Sequence, residues 1–399
     1  MVTAIEHQIL VKGRDLDAYK FDAISSLEKD MSRKGVKLLD YDYINGETAI
    51  KPLNYVGVIA FDNDDYLEIL PKITDLEDPE SIKRTKEVFL KMLLSALDMD
   101  PVETEAAKID EWQGSLFEFF VKMFLREVNL IVSMGIRSGY SDTEGNETFV
   151  KGRILFSEDI THNLAHRERT YQTFQIFDSN RAENRLIKAT LKYLRTVSNE
   201  YDNRKEIRRL TPYFEECSDI SDVYSELRNC RIDRNMKHYV KAIRWCEIFL
   251  LNKTLSTFSG SNIAYTFLFP MEKVFESYVA KTLKTRLQDC DVSIQNSEKT
   301  LFDTDLVRKV RPDIVVKQND SVVILDTKWK VIESNAKISD DDLRQMKEYS
   351  ADFEGTAMLL YPKVGFDEEI ESRRGGIVVK TKYLDLLNDF DGWWKNIIE

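Results

Sequence analysis

The segment from Val310 to Lys330 constrains the fold of this chain more than any other stretch. It contains two runs rich in β-branched and aliphatic residues, Asp313 to Val316 and Val322 to Leu325, with a polar segment, residues 317–321, between them. Short apolar runs that flank a polar turn are typical of a β-hairpin. We therefore predict a hairpin here, within a domain that contains a sheet.

The hairpin would place two acidic residues opposite each other. In an antiparallel hairpin, the residue numbers of each opposed pair add up to the same value. If the turn is centred on Asn319 and Asp320, Asp313 therefore lies across from Asp326. Their Cβ atoms are then about 5 Å apart on one face of the sheet. Lys328 follows Asp326 by two residues, so strand alternation directs it to the same face.

Such a pair of carboxylates needs a compensating charge. Two carboxylates at that distance repel each other unless a cation lies between them or one of them takes a proton. Mg²⁺ meets this need, because it binds through one or two carboxylates together with phosphate oxygens of a substrate. An ammonium group beside the pair can orient an attacking water or stabilise the charge of the phosphate. The predicted arrangement is typical of a nuclease.

Length and composition indicate a multidomain globular protein. The 399 residues favour two or three domains, and 43% hydrophobic with 32% charged residues are typical of a folded chain. No apolar run reaches the roughly 18 residues that cross a bilayer, and the first residues lack the pattern of a secretion signal. The cysteines lack paired C-x-x-C spacing, which argues against a zinc site or a disulfide scaffold. We expect a cytoplasmic protein without membrane contact.

The formal net charge of −12 argues against a protein that coats nucleic acid through bulk positive charge. It is compatible with a nuclease, whose active site must itself be acidic. An acidic enzyme of this kind binds DNA weakly alone, so we expect a partner that delivers the DNA. The sequence contains no G-x-x-x-x-G-K-[ST] loop, and the chain itself should not hydrolyse nucleotides.

The order of apolar patterns and turns predicts an α+β protein with three regions. Residues 1–105 form a β-rich module, residues 106–261 are mainly helical, and residues 262–399 form an α/β domain with a mixed sheet. Helical spacing and capping residues predict helices at residues 16–34, 79–97, 112–131, 179–198, 234–255, 272–288 and 339–350. Besides the hairpin, strands are predicted at residues 49–50, 56–61, 66–70, 356–361 and 376–381, and a strand pair or a hairpin arm at residues 148–156.

The residues in and around the hairpin resemble those of a known nuclease superfamily. Glu276, Asp313, the Asp326-Thr327-Lys328 triplet and the Q-x-x-x-Y pair of Gln345 and Tyr349 are similar to the motifs of PD-(D/E)XK nucleases in their RecB-like form. More narrowly, the chain resembles the McrC family, the nuclease subunits of modification-dependent restriction systems. The segments that carry this resemblance are F-E-x-Y at residues 275–278, R-P-D-I-V at 311–315, L-D-T-K-W-K at 325–330, L-E-I-L-P-K at 67–72 and K-G-R-I at 151–154. The resemblance implies that residues 262–399 form a PD-(D/E)XK nuclease core.

The resemblance also implies roles for the central residues. Asp313 and Asp326 would bind Mg²⁺ or Mn²⁺ through their carboxylates, with the Thr327 carbonyl as a further ligand. Lys328 would orient the hydrolytic water, and Glu276 would support the metal through a water molecule. The alternative for Glu276 is an ordinary exposed position on a helix.

Other residues would have secondary roles. Gln345 and Tyr349 would be accessory residues that touch the lysine, the metal site or the DNA backbone. Arg308, Lys309 and Arg311 are candidate phosphate contacts. The alternatives are a core position for Tyr349, a solvated helix face for Gln345 and an exposed surface for the basic run.

A partner follows from the same resemblance. McrC-type nucleases dock on a hexameric AAA+ GTPase of the McrB type, stimulate its hydrolysis and depend on it for recognition and translocation of modified double-stranded DNA. The docking element would be the amino-terminal module, residues 1–105. One rival hypothesis is a non-catalytic adaptor that activates an AAA+ NTPase and retains a vestigial nuclease site. Another is a DNA repair nuclease that works alone.

Overall fold

The computed structural model describes residues 2–61, 65–73, 78–97, 115–256, 263–294, 312–319, 321–374, 376–390 and 392–397. The chain has a mixed α+β architecture with several sheets, and it divides into two compact units. Unit 1 combines Met1–Leu116 with Phe258–Glu399, and unit 2 is the intervening segment Phe117–Thr257. Within the described ranges, no helix is both long and apolar enough to cross a membrane. The functional division at residues 105 and 261 stays a prediction.

The amino-terminal part of unit 1 is rich in short strands. These are β1 (Val2–Ile5), β2 (Leu10–Val11), β3 (Leu39–Ile44), β4 (Glu47–Pro52), β5 (Tyr55–Phe61) and β6 (Tyr66–Leu70), with helices α1 (Ala18–Arg33) and α2 (Pro79–Ala96). Asn45 and Gly46 form a two-residue turn between β3 and β4, with φ angles of 52° and 89°. Positive φ at both positions is typical of a type I′ hairpin turn. The carboxylate of Asp78 accepts hydrogen bonds from the first turn of α2, as its capping position predicts.

Unit 2 is mainly helical and has its own aromatic core. Its elements are α3 (Leu116–Met134), β7 (Gly139–Glu147), β8 (Arg153–Ile154), α4 (Phe156–Asn163), β9 (Thr170–Asp178), α5 (Ala182–Val197), α6 (Tyr201–Leu210), α7 (Val223–Asn229) and α8 (Val240–Ser256), with 3-10 turns at Thr211–Phe214 and Arg234–Tyr239. The helix predicted at residues 112–131 is described from Leu116 onward, and there its apolar face is buried, with Phe117 and Phe124 both packed on Phe249 of α8. Residues 148–156, predicted as a strand pair or a hairpin arm, contain the short strand β8, which pairs antiparallel with β9.

The carboxy-terminal part of unit 1 contains a six-stranded mixed sheet. The chain enters through β10 (Ile263–Pro270) and α9 (Met271–Arg286), and continues through β11 (Asp291–Ile294), β12 (Ile314–Gln318), β13 (Ser321–Thr327), α10 (Asp340–Asp352), β14 (Thr356–Pro362), β15 (Glu371–Arg374) and β16 (Ile377–Leu384), with 3-10 turns at Asn335–Lys337 and Trp393–Asn396. The strand order is β11-β12-β13-β14-β16-β15. β13, β14 and β16 are parallel, and the remaining pairs are antiparallel. The predicted order of helix, hairpin, helix and strand is confirmed.

The strand β10 joins the carboxy-terminal part of unit 1 to its amino-terminal sheet. β10 pairs antiparallel with β5, so the amino-terminal sheet has the order β1-β6-β5-β10. Gly57 of β5 has a φ of 144°, and a Cβ atom there would lie 1.9 Å from the carbonyl oxygen of Phe267. Only glycine permits such a close approach of two backbones. The strand that leads directly into α9 is therefore part of the amino-terminal sheet.

Candidate active site

The hairpin has the register that the sequence predicts. Gln318 pairs with Ser321 and Ile314 with Leu325, so the next opposed positions are Asp313 and Asp326. Ile314 and Leu325 are fully buried, which fixes this register because a slip by one residue would expose both. Asn319 has a φ of 51°, as a tight turn requires, and Asp320 lies outside the described residues.

Asp313 is held across the hairpin by the last residue of β13. Its Oδ2 atom accepts the backbone N–H of Thr327 at 2.8 Å and the Thr327 hydroxyl at 3.0 Å. Two donors on one oxygen fix the orientation of the carboxyl group. Thr327 thereby positions Asp313 beside Asp326.

Lys328 completes the cluster on the side of Asp326. Its Nζ atom lies 2.7 Å from Oδ2 of Asp326, and its backbone N–H donates to the carbonyl of Leu360 in β14 at 2.9 Å. The side chain of Asp326 is 3% exposed and that of Lys328 is 23% exposed. The acid is therefore shielded, while part of the Lys328 side chain remains accessible.

Asp342, in the first turn of α10, is a further member that sequence reasoning missed. Its carboxylate lies 3.8 Å from Nζ of Lys328 and 2.9 Å from Nζ of Lys330. Asp342 precedes Gln345 by three residues, so the two positions share one face of the helix. Asp341, four residues before Gln345, has an equally helical spacing, so the sequence carries no signal that identifies Asp342.

The electrostatics of the cluster are dominated by burial. Burial raises the pKa of Asp313, and repulsion from Asp326 and Glu276 raises it further. Burial likewise raises the pKa of Asp326 and the pKa of Glu276, and Asp326 adds to the increase at Glu276. Burial opposes the charge of Lys328, but Asp326, together with Asp342 and Asp313, outweighs that effect and raises the pKa of the ammonium group. Lys328 is therefore a cation at neutral pH, next to three acids that repel one another.

The structure brings the remaining motif residues to the same end of the sheet. Gln345 donates from Nε2 to the hydroxyl of Tyr349 at 2.7 Å, one turn apart on α10. Tyr349 is buried in the core that α10 forms with the sheet, and the charges of Asp326 and Asp313 affect its pKa, which burial raises. The core position considered for Tyr349 is correct, and its hydroxyl also lies near the acids. Arg308, Lys309 and Arg311 lie outside the described residues.

The donor set of the cluster consists of hard oxygen atoms. Within the described residues, no group of three or more His, Cys, Asp or Glu side chains is close enough together to hold a metal ion by itself. Mg²⁺ does not require such a cage, because it commonly binds one or two carboxylates and keeps waters or phosphate oxygens as its other ligands. The chemistry of Asp313 and Asp326 therefore fits a divalent cation that binds together with a substrate.

Comparisons with known proteins agree on one system. The family model described as McrBC 5-methylcytosine restriction system component matches residues 50–362. A chain of the refined half-complex from the tetradecameric assembly of Thermococcus gammatolerans McrB AAA+ hexamers with bound McrC is 20% identical, with a TM-score of 0.72 over 99% of this chain and 98% of that chain. A chain of the Thermococcus gammatolerans McrBC complex is 20% identical, with a TM-score of 0.54 over 72% of this chain and 88% of that chain. No curated protein sequence matches this chain.

Proposed function

We propose that this chain, which belongs to the McrBC family of 5-methylcytosine restriction system components, is the DNA-cleaving subunit of a restriction complex. Within the family it belongs to the McrC members. The observation that carries the proposal is the convergence of Asp313, Asp326, Glu276 and Lys328 at one end of the hairpin. The sequence of helix, hairpin, helix and strand around them supports a PD-(D/E)XK core.

The buried acids fit a catalytic magnesium or manganese ion. Three carboxylates whose pKa values are raised by burial and mutual repulsion are unfavourable without a counter-charge, and a divalent cation supplies it. Asp313, Asp326 and the Thr327 carbonyl would hold this ion. When bound, such an ion polarises the phosphate and generates hydroxide near neutral pH.

Lys328 acts through its charge. A side chain that keeps its proton at neutral pH cannot serve as a base, but it can orient a water molecule and stabilise negative charge on the phosphate. Both Asp326 and Asp342 lie close to the ammonium group, at 2.7 and 3.8 Å. Gln345 and Tyr349 would support the cluster or contact the DNA backbone.

The complex would supply what this acidic chain lacks. The similar solved chains come from assemblies of McrB AAA+ hexamers with bound McrC. We propose that this chain likewise docks on an AAA+ GTPase in the cytoplasm, stimulates its hydrolysis and receives modified double-stranded DNA from it. The amino-terminal module, residues 1–105, is the proposed docking element.

Asp326→Asn is the direct test of the nuclease function. In the assembled complex with GTP, Mg²⁺ and methylated duplex DNA, we expect a loss of cleavage of at least about 100-fold, because a proposed carboxylate ligand of the metal ion is removed. GTPase stimulation should stay within about twofold of the wild type, since the docking element is elsewhere. Asp341→Asn, at the adjacent exposed start of α10, is the matched control and should cleave normally.

The outcomes separate the proposed function from its rivals. Unchanged cleavage by Asp326→Asn would contradict the nuclease assignment and favour an adaptor with a vestigial site. Cleavage by the purified chain without partner or nucleotide would instead favour a repair nuclease. Removal of divalent cations with EDTA should abolish cleavage, and added Mn²⁺ should restore it.

A further inference from the structure

The residue that follows Lys328 is held by the amino-terminal module. The indole Nε1–H of Trp329 donates to Oε2 of Glu6 at 2.8 Å, and the same oxygen accepts the backbone N–H of Lys72 at 3.1 Å. Glu6 directly follows β1, and Lys72 follows β6. Glu6 is 2% exposed and Trp329 is 1% exposed. The contact between Glu6 and Trp329, more than 300 positions apart in the sequence, is thus buried.

Lys72 fixes Trp329 a second time. Its Nζ atom donates to the backbone carbonyl of Trp329 at 2.8 Å and lies 6.0 Å from the centre of the indole ring. Trp329 is therefore fastened by both its side chain and its backbone. Its ring also packs on Phe275 at a centroid distance of 5.2 Å, and Phe275 immediately precedes Glu276 in α9.

The same module also holds the helix that carries Glu276. β10 pairs with β5 along its length, and the backbone N–H of Met271, the first residue of α9, donates to the carbonyl of Asn54 at 2.9 Å. The Asn54 side chain donates to Glu272 at 2.9 Å. α9 is thus attached through backbone pairing, whereas the end of β13 is attached through the side chains of Glu6 and Lys72.

A purely structural role explains Glu6 poorly. Burial of a carboxyl group is unfavourable unless its polar atoms are satisfied, and a well-packed apolar residue would stabilise the same space at least as well. Among the described residues, Oε1 of Glu6 has no hydrogen-bond partner. A group retained at such a cost calls for a reason other than stability.

We propose that Glu6 and Lys72 are positioning residues that, through Trp329, hold the strand end bearing Asp326 and Lys328 in place against the helix bearing Glu276. This proposal rests on the proposed nuclease function and adds a means of control to it. Since the amino-terminal module is the proposed docking element, a shift of that module on partner binding acts on the cleavage site through this contact.

The test combines three changes with one matched control. Trp329→Phe keeps the ring on Phe275 and removes the indole donor, and Glu6→Ala removes the acceptor. Glu6→Gln keeps a carbonyl oxygen that can accept both N–H groups. Trp393→Phe is the control, because it also removes one buried indole donor in unit 1, to the Tyr278 hydroxyl at 2.9 Å.

The first measurement is amide hydrogen exchange of the full-length chain in peptides that span residues 325–331. We expect Trp329→Phe and Glu6→Ala to accelerate exchange there about tenfold, because the loss of a buried hydrogen bond weakens the local structure. Glu6→Gln should restore slow exchange, and Trp393→Phe should leave this segment unchanged. If residues 325–331 exchange at the wild-type rate in both Trp329→Phe and Glu6→Ala, the proposal is overturned.

The second measurement is the cleavage rate of the assembled complex beside its GTPase stimulation. We expect Trp329→Phe and Glu6→Ala to lower turnover about tenfold with GTPase stimulation within about twofold of the wild type, and Glu6→Gln to recover most of the activity. An equal loss of both activities, together with a lower melting temperature, would show a merely structural role and overturn the inference.

If Asp326→Asn abolishes cleavage while these variants cleave normally, the nuclease function stands and this inference falls. If Asp326→Asn cleaves normally, the nuclease function fails. The positioning role of Glu6 and Lys72 is then tested by the hydrogen exchange of residues 325–331 alone.

Discussion

Glu6 is a buried carboxyl group whose protonation is linked to folding. Burial raises its pKa to about 7, despite the opposing effects of Lys72 and Trp329. An acid with a higher pKa in the folded state binds more protons there than in the unfolded state, so stability falls as pH rises. For Glu6 this loss begins above its ordinary pKa of 4.5 and is complete above about 7.

Glu6→Gln should therefore stabilise the protein in a pH-dependent way. Glutamine keeps an acceptor oxygen but cannot ionise, so the free energy of unfolding should exceed that of the wild type by up to about 3 kcal/mol at pH 8. The difference should fall below about 1 kcal/mol at pH 5. Urea unfolding at both pH values measures it, with the exposed Glu80→Gln as control. A difference that is the same at both pH values would contradict a raised pKa.

Some residue contacts of the site follow from the sequence and others do not. The apposition of Asp313 and Asp326 could be predicted, because strand alternation and a two-residue turn are local properties. The ion pair of Lys328 with Asp326 follows from the same alternation. The contact of Glu6 with Trp329 could not be predicted, since no local pattern marks a pair so distant in the sequence. Asp342 stood in a run of three aspartates, and only the fold distinguishes the buried one.

At the scale of elements, the pairing of β5 with β10 depends on one glycine. Gly57→Ala would place a Cβ atom 1.9 Å from the carbonyl oxygen of Phe267, at a φ of 144° that alanine rarely adopts. The two strands must separate locally, so we expect a loss of about 2 kcal/mol or more in the free energy of unfolding. Chemical denaturation measures it.

The matched control for that change is Gly365→Ala. Gly365 also has a positive φ, 73°, but no atom lies within 4 Å of the Cβ position. Only backbone strain of about 1 kcal/mol is then expected. Equal losses for the two variants would show that the close approach of β5 and β10 contributes nothing.

The elements that could be predicted are those with a local signal. The helices α2, α5, α9 and α10 carry apolar periodicity or capping residues, and the structure places them within a few residues of the predicted bounds. β7 has no buried residue, so it lacks the apolar alternation by which a strand is recognised. β10 becomes part of a sheet by pairing with β5, which lies far away in the sequence, so no local pattern predicts this pairing.

At the scale of the whole molecule, each unit has a core of its own. In unit 2, the fully buried Phe249 packs on Phe117, Phe124 and Trp245 at ring distances of 6.0, 5.8 and 5.8 Å. We expect a fragment of residues 117–257 to unfold cooperatively on heating. Phe249→Ala should lower the stability of the fragment by about 3–5 kcal/mol, because it leaves a large cavity. Circular dichroism measures both, and a fragment without a cooperative transition would contradict an independent core.

The discontinuity of unit 1 has a consequence for synthesis on the ribosome. β5 leaves the ribosome roughly 200 residues before β10, which at 5–20 residues per second is a delay of about 10–40 s. During that time the edge of β5 that receives β10 has no strand to pair with, and open edges invite aggregation. The hairpin with its acids emerges later still. A nascent chain therefore lacks the acids of the proposed cleavage site until long after its amino-terminal strands have been made, and an unassembled intermediate of this kind is harmless to the DNA around it under the proposed function.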